Sequence, residues 1–368
     1  MIYFDNSATT EVREEVLDTF VTVTKKFIGN PNSLHKLGLE SKKLMSEATK
    51  QVADLLHVKE EEVIFTSSSS EANNLAIKGV LGYYPKRKKL ILTTMLEHAS
   101  IYETLQHFDE DVIVKFLKLD DKGHIDLQDL DEKLKEEPLL VSVHHVNSEV
   151  GTIQDIEAIG KKIKEYPKTL FHVDGTQSVG KIPVNLEYVD LFSFSAHKFF
   201  GLKGIACLIK KEKVGLKPLI DGGDSQTIYR AGTPSVALIA SFAKALRLIL
   251  EEEKKNYQHV KVLNEKARAE LEKLPNVIIN SQEGDSPYIL NFSILGQKPE
   301  TVLHKLEQFD IYLSTKTACS SKEEKSRTVY ALTKNEERSK SSLRISFSKN
   351  NTLEEGETFI KVLKEEIL

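Results

Sequence analysis

The hexapeptide SFSAHK, residues 193–198, combines an amine with side chains that could hold a phosphorylated aldehyde. A lysine whose pKa is lowered by burial is a usable nucleophile and can form a Schiff base with an aldehyde. The hydroxyl of Ser195 and the imidazole of His197 could bind a phosphate beside that bond. Because most lysines that follow a strand are solvated, the hexapeptide alone is a weak signal. It makes Lys198 a candidate Schiff-base residue that needs support from elsewhere in the chain.

That support comes from the segment FHVDGTQSVGK, which begins at residue 171. Its first half predicts a buried strand over residues 169–173 that delivers Asp174 at the strand's carboxyl end, where parallel sheets place their ligands. A carboxylate there could keep the ring nitrogen of pyridoxal 5'-phosphate (PLP) protonated, so that the ring accepts electrons from a substrate carbanion. Gln177 could hydrogen-bond the ring's phenolic oxygen. Asp174 could instead cap a helix, but its spacing to Gln177 and Lys198 favours a PLP site.

Serines occupy residues 67–70, between a predicted strand and a predicted helix. Backbone N–H groups and hydroxyls at a helix N-terminus bind anions, which makes Ser69 and Ser70 candidate ligands of the cofactor phosphate. In a second interpretation Ser70 only caps the helix, with Glu71 in its first turn. The two roles are compatible.

These motifs belong to an ordered series that resembles the cysteine desulfurases, a branch of the class V aminotransferase group of PLP enzymes. The series is FDNSATT (4–10), FTSSSSEANNLAIKG (65–79), HVNSEVGT (145–152), HVDGTQSVGK (172–181), SFSAHK (193–198), RAGT (230–233), TACSS (317–321) and SSLRISF (341–347). The resemblance runs nearly end to end. It implies the PLP-dependent transferase fold type I. It also points to two departures from the family pattern, Ser68 and Ile228, at positions where relatives usually carry glycine.

The resemblance also implies roles for residues whose local sequence is uninformative. His98 would lie over the pyridine ring and shuttle protons, Asn147 would donate to the phenolic oxygen or the substrate carboxylate, and Arg344 would bind the substrate's α-carboxylate. Local sequence alone equally allows a helix cap, a turn and a surface ion pair at these three positions. Thr233 would reach the cofactor phosphate of a neighbouring subunit, which implies a homodimer with shared sites. His144, which lies next to a second histidine on a predicted strand, is expected to be structural.

The two cysteines differ in context. Cys207 lies in an apolar strand and is expected to behave as a buried hydrophobic residue. Cys319 is followed by the polar stretch SSKEEKS, and the resemblance implies that it takes sulfur from the substrate as a persulfide. In the implied reaction Lys198 removes the α-proton of L-cysteine, L-alanine is released and Cys319 passes sulfur to an acceptor protein. The acceptor would serve iron–sulfur cluster assembly or the thiolation of tRNA or cofactors. A selenocysteine lyase and a small-amino-acid aminotransferase on the same fold stay open as alternatives.

Composition sets limits on the partners. The 368 residues include 51 Lys+Arg and 55 Asp+Glu, and the formal net charge of -4 gives no reason to expect direct binding of nucleic acid. No apolar run reaches the roughly 18 residues of a membrane span, and the first residues do not read as a signal peptide. We therefore expect a cytoplasmic protein. Two cysteines are too few for a disulfide scaffold or an all-cysteine metal site, and no metal is expected.

The elements that must position these residues alternate between strand and helix from residue 63 onward. Such alternation predicts an α/β fold with a mostly parallel sheet between helices. We expect a large PLP-binding domain over residues 13–250. Residues 1–12 together with 251–368 are expected to form a smaller α+β domain, with the first strand joining the C-terminal part as in the family.

Overall fold

The computed structural model describes residues 1–315 and 324–368. Within them the strands are β1 (Ile2–Tyr3), β2 (Val63–Thr66), β3 (Leu90–Thr93), β4 (Ile113–Phe116), β5 (Leu140–His144), β6 (Leu170–Asp174), β7 (Leu191–Ser195), β8 (Ala206–Lys210), β9 (Val277–Ile279), β10 (Ile289–Ile294), β11 (Ile311–Tyr312) and β12 (Ser342–Ser346). A seven-stranded sheet has the order β2-β8-β7-β6-β5-β3-β4. Its strands from β4 to β7 are parallel, whereas β8 is antiparallel to both β7 and β2. The expectation of a mostly parallel sheet is confirmed.

Helices cover both faces of this sheet. Those in the described ranges are α1 (Glu14–Lys26), α2 (Lys36–Leu56), α3 (Ser69–Tyr83), α4 (Ala99–Gln106), α5 (Leu127–Leu134), α6 (Ile156–Lys164), α7 (Val236–Leu271), α8 (Pro299–Glu307), α9 (Arg327–Thr333), α10 (Glu336–Lys340) and α11 (Leu353–Val362). Leu90 and Leu92 of β3 pack in one hydrophobic cluster, while Ile91 between them packs in another. Because successive strand side chains point to opposite faces, the two clusters lie on opposite sides of the sheet. Among the helices described, none is both long and apolar enough to cross a membrane.

A second, smaller core forms around the C-terminal strands. Strand β10 lies between β9 and β12 and is antiparallel to both. The N-terminal strand β1 pairs in parallel with β11, and Phe4 packs with its ring centroid 5.5 Å from that of Phe347 and 5.9 Å from that of Phe359. The first residues of the chain therefore pack against the C-terminal core.

The long helix α7 connects the two cores. Its first half contributes Ile239, Phe242, Leu246 and Ile249 to the cluster of the large sheet, whereas its buried apolar residues from Val260 onward pack in the C-terminal cluster. The division that we place between residues 250 and 251 falls in the middle of this helix. It stays a proposal that this change of packing partner supports.

Cys207 lies on β8 with no exposed surface, opposite Phe65 on one neighbouring strand and Phe194 on the other. Burial raises the pKa of its thiol well above the usual value. We expect Cys207→Ser to lower the free energy of unfolding by about 1 to 3 kcal/mol, because a polar hydroxyl would replace a thiol in an apolar, fully buried position. Urea unfolding followed by circular dichroism measures this change. An unchanged unfolding midpoint would mean that the site accommodates a hydroxyl.

Candidate active site

A cavity of about 260 Å³ lies at the carboxyl ends of β5, β6 and β7. This is the edge at which parallel sheets bind their ligands. Nine of the residues predicted from the sequence line it, namely Ser69, Ser70, His98, Asn147, Asp174, Gln177, His197, Lys198 and Arg344. The fold therefore brings together side chains that are up to 275 residues apart in the chain.

Three predicted residues are not among those that line the cavity. Ser195 is buried and donates a long hydrogen bond of 3.4 Å to the carbonyl of Ile205, so its hydroxyl is directed to the loop before β8. Its role as a phosphate ligand is not supported by this placement. Thr233 is exposed on the loop that precedes α7. Cys319 lies outside the described residues.

The carboxylate of Asp174 is held from two sides. The backbone N–H of Thr176 donates to Oδ1 at 2.9 Å, and the side-chain amide of Asn73 donates to Oδ2 at 2.9 Å. The amide oxygen of Asn73 accepts in turn from Ser193, whose Oγ also lies 3.2 Å from Nε2 of the fully buried His172. This network fixes the carboxylate where a pyridine nitrogen could meet it. Sequence analysis missed Asn73, although a polar residue on the buried face of a predicted helix was a usable signal.

The amine of Lys198 contacts the N-terminal segment. Its Nζ donates to the carbonyl oxygens of Ser7 at 2.6 Å and Ala8 at 2.7 Å. The side-chain amide of Gln177 donates to the same Ser7 carbonyl at 2.8 Å. The segment FDNSATT thus contributes backbone acceptors to the wall of the cavity, a role that its local sequence does not reveal. Nζ must leave these carbonyls before it can bond to an aldehyde.

The orientation of the Gln177 amide is set by a second lysine. Lys181 donates from Nζ to Oε1 of Gln177 at 2.6 Å, which leaves the amide N–H groups for Ser7 and the cavity. Burial, together with the charges of Lys198 and Arg344, lowers the pKa of Lys181 to about 7. One amide N–H of Gln177 is left for a ligand oxygen, as its predicted role requires.

His98 caps helix α4 and lines the cavity at the same time. Its Nδ1 accepts a hydrogen bond from the backbone N–H of Ser100 at 3.1 Å and lies 2.9 Å from the Ser100 hydroxyl. Burial lowers the pKa of His98, so the ring is neutral at neutral pH, and the bond at Nδ1 assigns the proton to Nε2. The helix-cap interpretation is thus confirmed, and the position of His98 over the pyridine ring stays a prediction that its place in the cavity lining supports. His98 therefore presents an N–H hydrogen-bond donor to the cavity, because its Nδ1 lone pair is already used by the Ser100 backbone N–H.

Asn147 forms the turn that local sequence allows. Its side-chain oxygen accepts from the backbone N–H groups of Glu149 at 2.8 Å and Val150 at 2.9 Å. Its amide nitrogen donates to the Leu96 carbonyl at 2.8 Å. One N–H of the amide is left for a ligand, so the predicted donor role depends on that single hydrogen.

Arg344 is almost completely buried, with 1% of its surface exposed, so the surface ion-pair interpretation is wrong. Its guanidinium donates to Oδ1 of Asp5 at 2.8 Å and to the carbonyl of Ser148 at 2.8 Å. Nε has no hydrogen-bond partner among residues 1–315 and 324–368. A guanidinium has five N–H donors. Donors therefore remain for a substrate carboxylate after the two structural bonds are made.

The phosphate end of the cavity is the N-terminus of α3. Ser68 is the cap, because its side chain accepts from the Glu71 backbone N–H at 3.2 Å, so the interpretation of Ser70 as the cap is wrong. Ser68 has φ −161°, an extended conformation that any residue adopts, and the departure from glycine introduces no strain. Ser69 and Ser70 stand in the first turn and line the cavity. Helix N-termini of this kind bind phosphate.

His197 lines the cavity and lies with Nδ1 3.2 Å from the hydroxyl of Thr9. Burial lowers its pKa to about 4, and the charge of Lys198 acts in the same direction. A neutral imidazole can still donate one N–H to a phosphate oxygen, so the predicted role is compatible with this environment.

His144 was expected to be structural, but it lines the cavity. Its Nδ1 is 2.9 Å from Oε1 of Glu97, whereas Nε2 is buried without a hydrogen-bond partner in the described parts of the chain. A buried ring nitrogen without a partner is costly, which suggests that a bound group completes the site.

The donor set fits PLP. A helix N-terminus can take the phosphate, Lys198 can take the aldehyde, and Asp174 can take the protonated ring nitrogen. Together with the sheet order, this cavity defines an enzyme of the PLP-dependent transferase fold type I. Comparison with known families identifies the family within this fold: the family model described as Aminotransferase class-V matches residues 2–359. The chain belongs to the class V aminotransferase family, whose members use PLP.

Within this family, the chain is similar over most of its length to proteins named cysteine desulfurase or NifS-like protein. A NifS/IcsS protein homolog of Lactobacillus delbrueckii subsp. bulgaricus is 41% identical over 372 residues, which cover 99% of this chain and 97% of that protein. Cysteine desulfurase IscS of Dictyoglomus turgidum is 37% identical over 87% of this chain and 82% of its own length. A solved structure described as a NifS-like protein superposes with a TM-score of 0.93 at 34% identity, covering 99% of this chain and 98% of that one.

Proposed function

We propose that this protein is a PLP-dependent cysteine desulfurase, which converts L-cysteine into L-alanine and leaves the sulfur as a persulfide on Cys319. The observation that carries the proposal is the meeting of Lys198, Asp174 and Arg344 in one cavity. These three side chains offer an amine for an aldehyde, a carboxylate for a ring nitrogen and a guanidinium for an amino acid's carboxylate. Relatives named cysteine desulfurase give the reaction its specific form.

Each residue has a separate task. PLP, when bound, supplies an electron-accepting ring. Asp174 holds a proton on the ring nitrogen, and its bonds from Asn73 and Thr176 keep it in place. Lys198 would hold the aldehyde of the cofactor through Nζ and, once freed from it, would take the α-proton of the substrate. His98 offers its Nε2–H to the cavity as a hydrogen-bond donor, and the proton-shuttle role that the family implies is part of this proposal.

Arg344 holds the α-carboxylate of cysteine in this proposal. Since it lines the cavity and is buried, the ion pair would form with little competing water. The spare N–H of Asn147 is available to the same carboxylate or to the phenolic oxygen of the cofactor. This arrangement fixes the amino acid by its carboxylate and leaves its side chain accessible to the sulfur acceptor.

We expect Arg344→Ala to lower kcat/KM for cysteine by about 30-fold to about 1000-fold, mostly through KM. The reason is the loss of a charge-assisted bidentate pair, which costs roughly 2 to 4 kcal/mol. Steady-state kinetics at full cofactor occupancy measure the change. Because Arg344 also binds Asp5, Arg344→Lys serves as a second variant, which keeps the positive charge but loses the two parallel N–H donors of the guanidinium.

Asp5→Asn is the matched control for Arg344, since it weakens the structural ion pair and leaves the guanidinium in place. It should change KM far less than Arg344→Ala. If Arg344→Ala and Arg344→Lys instead lose PLP and keep the KM of the wild type, Arg344 belongs to the cofactor shell or to the fold.

Cys319 is proposed as the sulfur acceptor on the strength of its sequence context. The described residues on either side of it are anchored at the cavity. Ser314 exchanges backbone hydrogen bonds with Arg344, and Ser326 donates from its hydroxyl to Glu149 at 2.6 Å. Residue 319 is four residues from residue 315, a span of at most roughly 14 Å. This limit on the distance from residue 315 is compatible with the proposed role of Cys319.

A homodimer with shared sites is also proposed. Apolar side chains between α1 and the first turns of α2 are unusually exposed, with Ile28 at 75%, Leu34 at 92% and Leu39 at 52%. Exposed apolar side chains close together favour an interface. The exposure of Thr233 is compatible with a contact to the cofactor phosphate of a second subunit. Light scattering of the purified protein tests the dimer, and a monomer would contradict it.

The persulfide is proposed to pass to an acceptor protein in the cytoplasm. Iron–sulfur cluster assembly and the thiolation of tRNA or cofactors are the uses that the family suggests. The acceptor is identified by the protein that takes labelled sulfur from the loaded enzyme.

The proposed function is tested by incubating the PLP-loaded protein with L-cysteine and a reducing thiol. We expect alanine and sulfide in equal amounts. Formation of alanine only from selenocysteine would favour a selenocysteine lyase. Exchange of the amino group with a keto acid, without release of sulfur, would favour an aminotransferase.

A further inference from the structure

His144 and Glu97 form a buried pair on the wall of the cavity that none of the assigned roles uses. His144 is 4% exposed and Glu97 is 1% exposed. Nδ1 of His144 lies 2.9 Å from Oε1 of Glu97, and the hydroxyl of Thr94 donates to the same oxygen at 2.6 Å. The carboxylate therefore holds the imidazole ring in one orientation.

This orientation directs an acceptor into the cavity. Glu97 Oε1 already accepts from Thr94, so we assign the Nδ1 proton of His144 to the bond with Glu97; in that tautomer of the imidazole, Nε2 keeps a lone pair. Nε2 is buried and has no partner in residues 1–315 and 324–368, and His144 lines the cavity. A buried acceptor of this kind requires a donor, since its desolvation is otherwise uncompensated.

The position of His144 indicates which donor that is. His144 ends β5 and is in register with Asp174, which ends the neighbouring parallel strand β6. Neighbouring strands are about 4.8 Å apart, and residues in register point to the same face of the sheet. His144 therefore stands beside the carboxylate that is assigned to the protonated ring nitrogen of PLP.

We propose that His144, oriented by Glu97, is a further cofactor-binding residue whose Nε2 is a second acceptor for the protonated ring nitrogen, next to Asp174. The inference rests on the proposed use of PLP at this site. It adds a neutral acceptor to the charged one, so that the proton on the ring nitrogen is held from two directions.

The adjacent histidine provides a matched comparison. His145 is also buried, and its Nδ1 also lacks a partner in the described residues. It does not belong to the cavity lining and instead borders a surface groove with Gln154 and Asp155. Any effect of burial or of the loss of an imidazole should therefore appear equally at His145, whereas an effect on the cofactor should appear only at His144.

The test measures binding of PLP to the apoprotein by absorbance. His144→Asn keeps an amide nitrogen near the position of Nδ1 for Glu97 but removes the atom that faces the cavity. We expect it to raise the Kd for PLP roughly 10-fold, the value of one buried hydrogen bond. His144→Gln, which places an amide near the position of Nε2, should restore part of the affinity. His145→Asn should leave the Kd unchanged.

An analogue of PLP in which carbon replaces the ring nitrogen separates a contact from a structural role. It has no ring N–H, so wild type and His144→Asn should bind it with the same Kd. Equal weakening of PLP and the analogue by His144→Asn would overturn the inference, as would an unchanged Kd for PLP. Neither measurement uses cysteine, so failure here is distinguishable from failure of the proposed desulfurase activity.

Discussion

Replacing Cys319 with serine is expected to reduce alanine release to near background while PLP stays bound and the protein stays folded. Lys198, Asp174 and Arg344 act before sulfur leaves the substrate, whereas Cys319 acts only when the sulfur is taken. A serine hydroxyl has a pKa far above that of a thiol and is a poor nucleophile toward sulfur. Addition of L-cysteine should therefore still change the visible spectrum of the cofactor. Alanine formed per minute, with and without a reducing thiol, is the measurement.

Cys207→Ser is the matched control, since it makes the same chemical change at the other cysteine of the chain. Cys207 has no exposed surface, and burial raises its pKa, so its thiol is neither accessible nor ionised at neutral pH. Turnover per folded molecule should equal that of the wild type. Alanine production at the wild-type rate by Cys319→Ser would mean that the sulfur acceptor is misassigned, and would favour the lyase or aminotransferase alternative.

Lys198→Ala should abolish turnover and remove the visible absorbance that arises when the cofactor is bonded to a lysine. The expectation follows from the position of Lys198 directly after β7, where its amine lines the cavity beside Asp174 and Gln177. Among the described residues that line the cavity, Lys198 is the one lysine, so its loss would remove both the bond to the aldehyde and the removal of the α-proton. Spectra and alanine assays of the purified variant measure the two effects.

Lys181 provides the control for this assignment. Its pKa of about 7 leaves a large fraction of its amine unprotonated at neutral pH, but its Nζ donates to Gln177 and its side chain is not part of the cavity lining. Lys181→Met should therefore keep the covalent absorbance. Borohydride reduction followed by peptide mapping should find the cofactor on Lys198. Wild-type absorbance in Lys198→Ala, or cofactor attached to Lys181, would contradict the assignment of Lys198 as the lysine that bonds to the cofactor.

Most of the cavity could be predicted from short motifs because of a rule about sheets. In a parallel sheet, side chains at the carboxyl ends of neighbouring strands meet at one edge. A strand that ends in Asp174 and another that leads to Lys198 are therefore expected to converge, whatever the length of chain between them. Strand β2 is antiparallel to β8, which is itself antiparallel to β7, so β2 ends at the same edge and brings the serines at the start of α3 to it. The rule does not specify which way a side chain turns, and Ser195 at the end of β7 is directed to the Ile205 carbonyl instead.

What the sequence could not predict depends on contacts between distant segments. The carbonyls of Ser7 and Ala8 meet Lys198 only because β1 pairs with β11 and carries the N-terminal segment across the cavity. The pairing of His144 with Glu97 likewise joins residues from different loops and strands. Every residue has a backbone carbonyl, so the sequence does not show which carbonyls will accept a hydrogen bond from a distant side chain. The role of a histidine on a buried strand likewise depends on contacts that the sequence does not show.

The buried state of Arg344 was hidden for a similar reason. A strand arginine is usually expected at the surface, because burial of a charge without a partner is costly. Here Asp5, from the first residues of the chain, and the Ser148 carbonyl offset that cost. A motif match pointed to the correct region, but only the fold identifies the partners that make burial possible.

The most direct test of the central claim is to locate the persulfide. The PLP-loaded wild-type protein is incubated with L-cysteine in the absence of a reducing thiol, alkylated and mapped by mass spectrometry, with Cys207 as the internal comparison. We predict one additional sulfur atom on the peptide that contains Cys319, formed together with one equivalent of alanine. Extra sulfur on Cys207, or alanine formed over many turnovers with no persulfide on Cys319, would contradict the account.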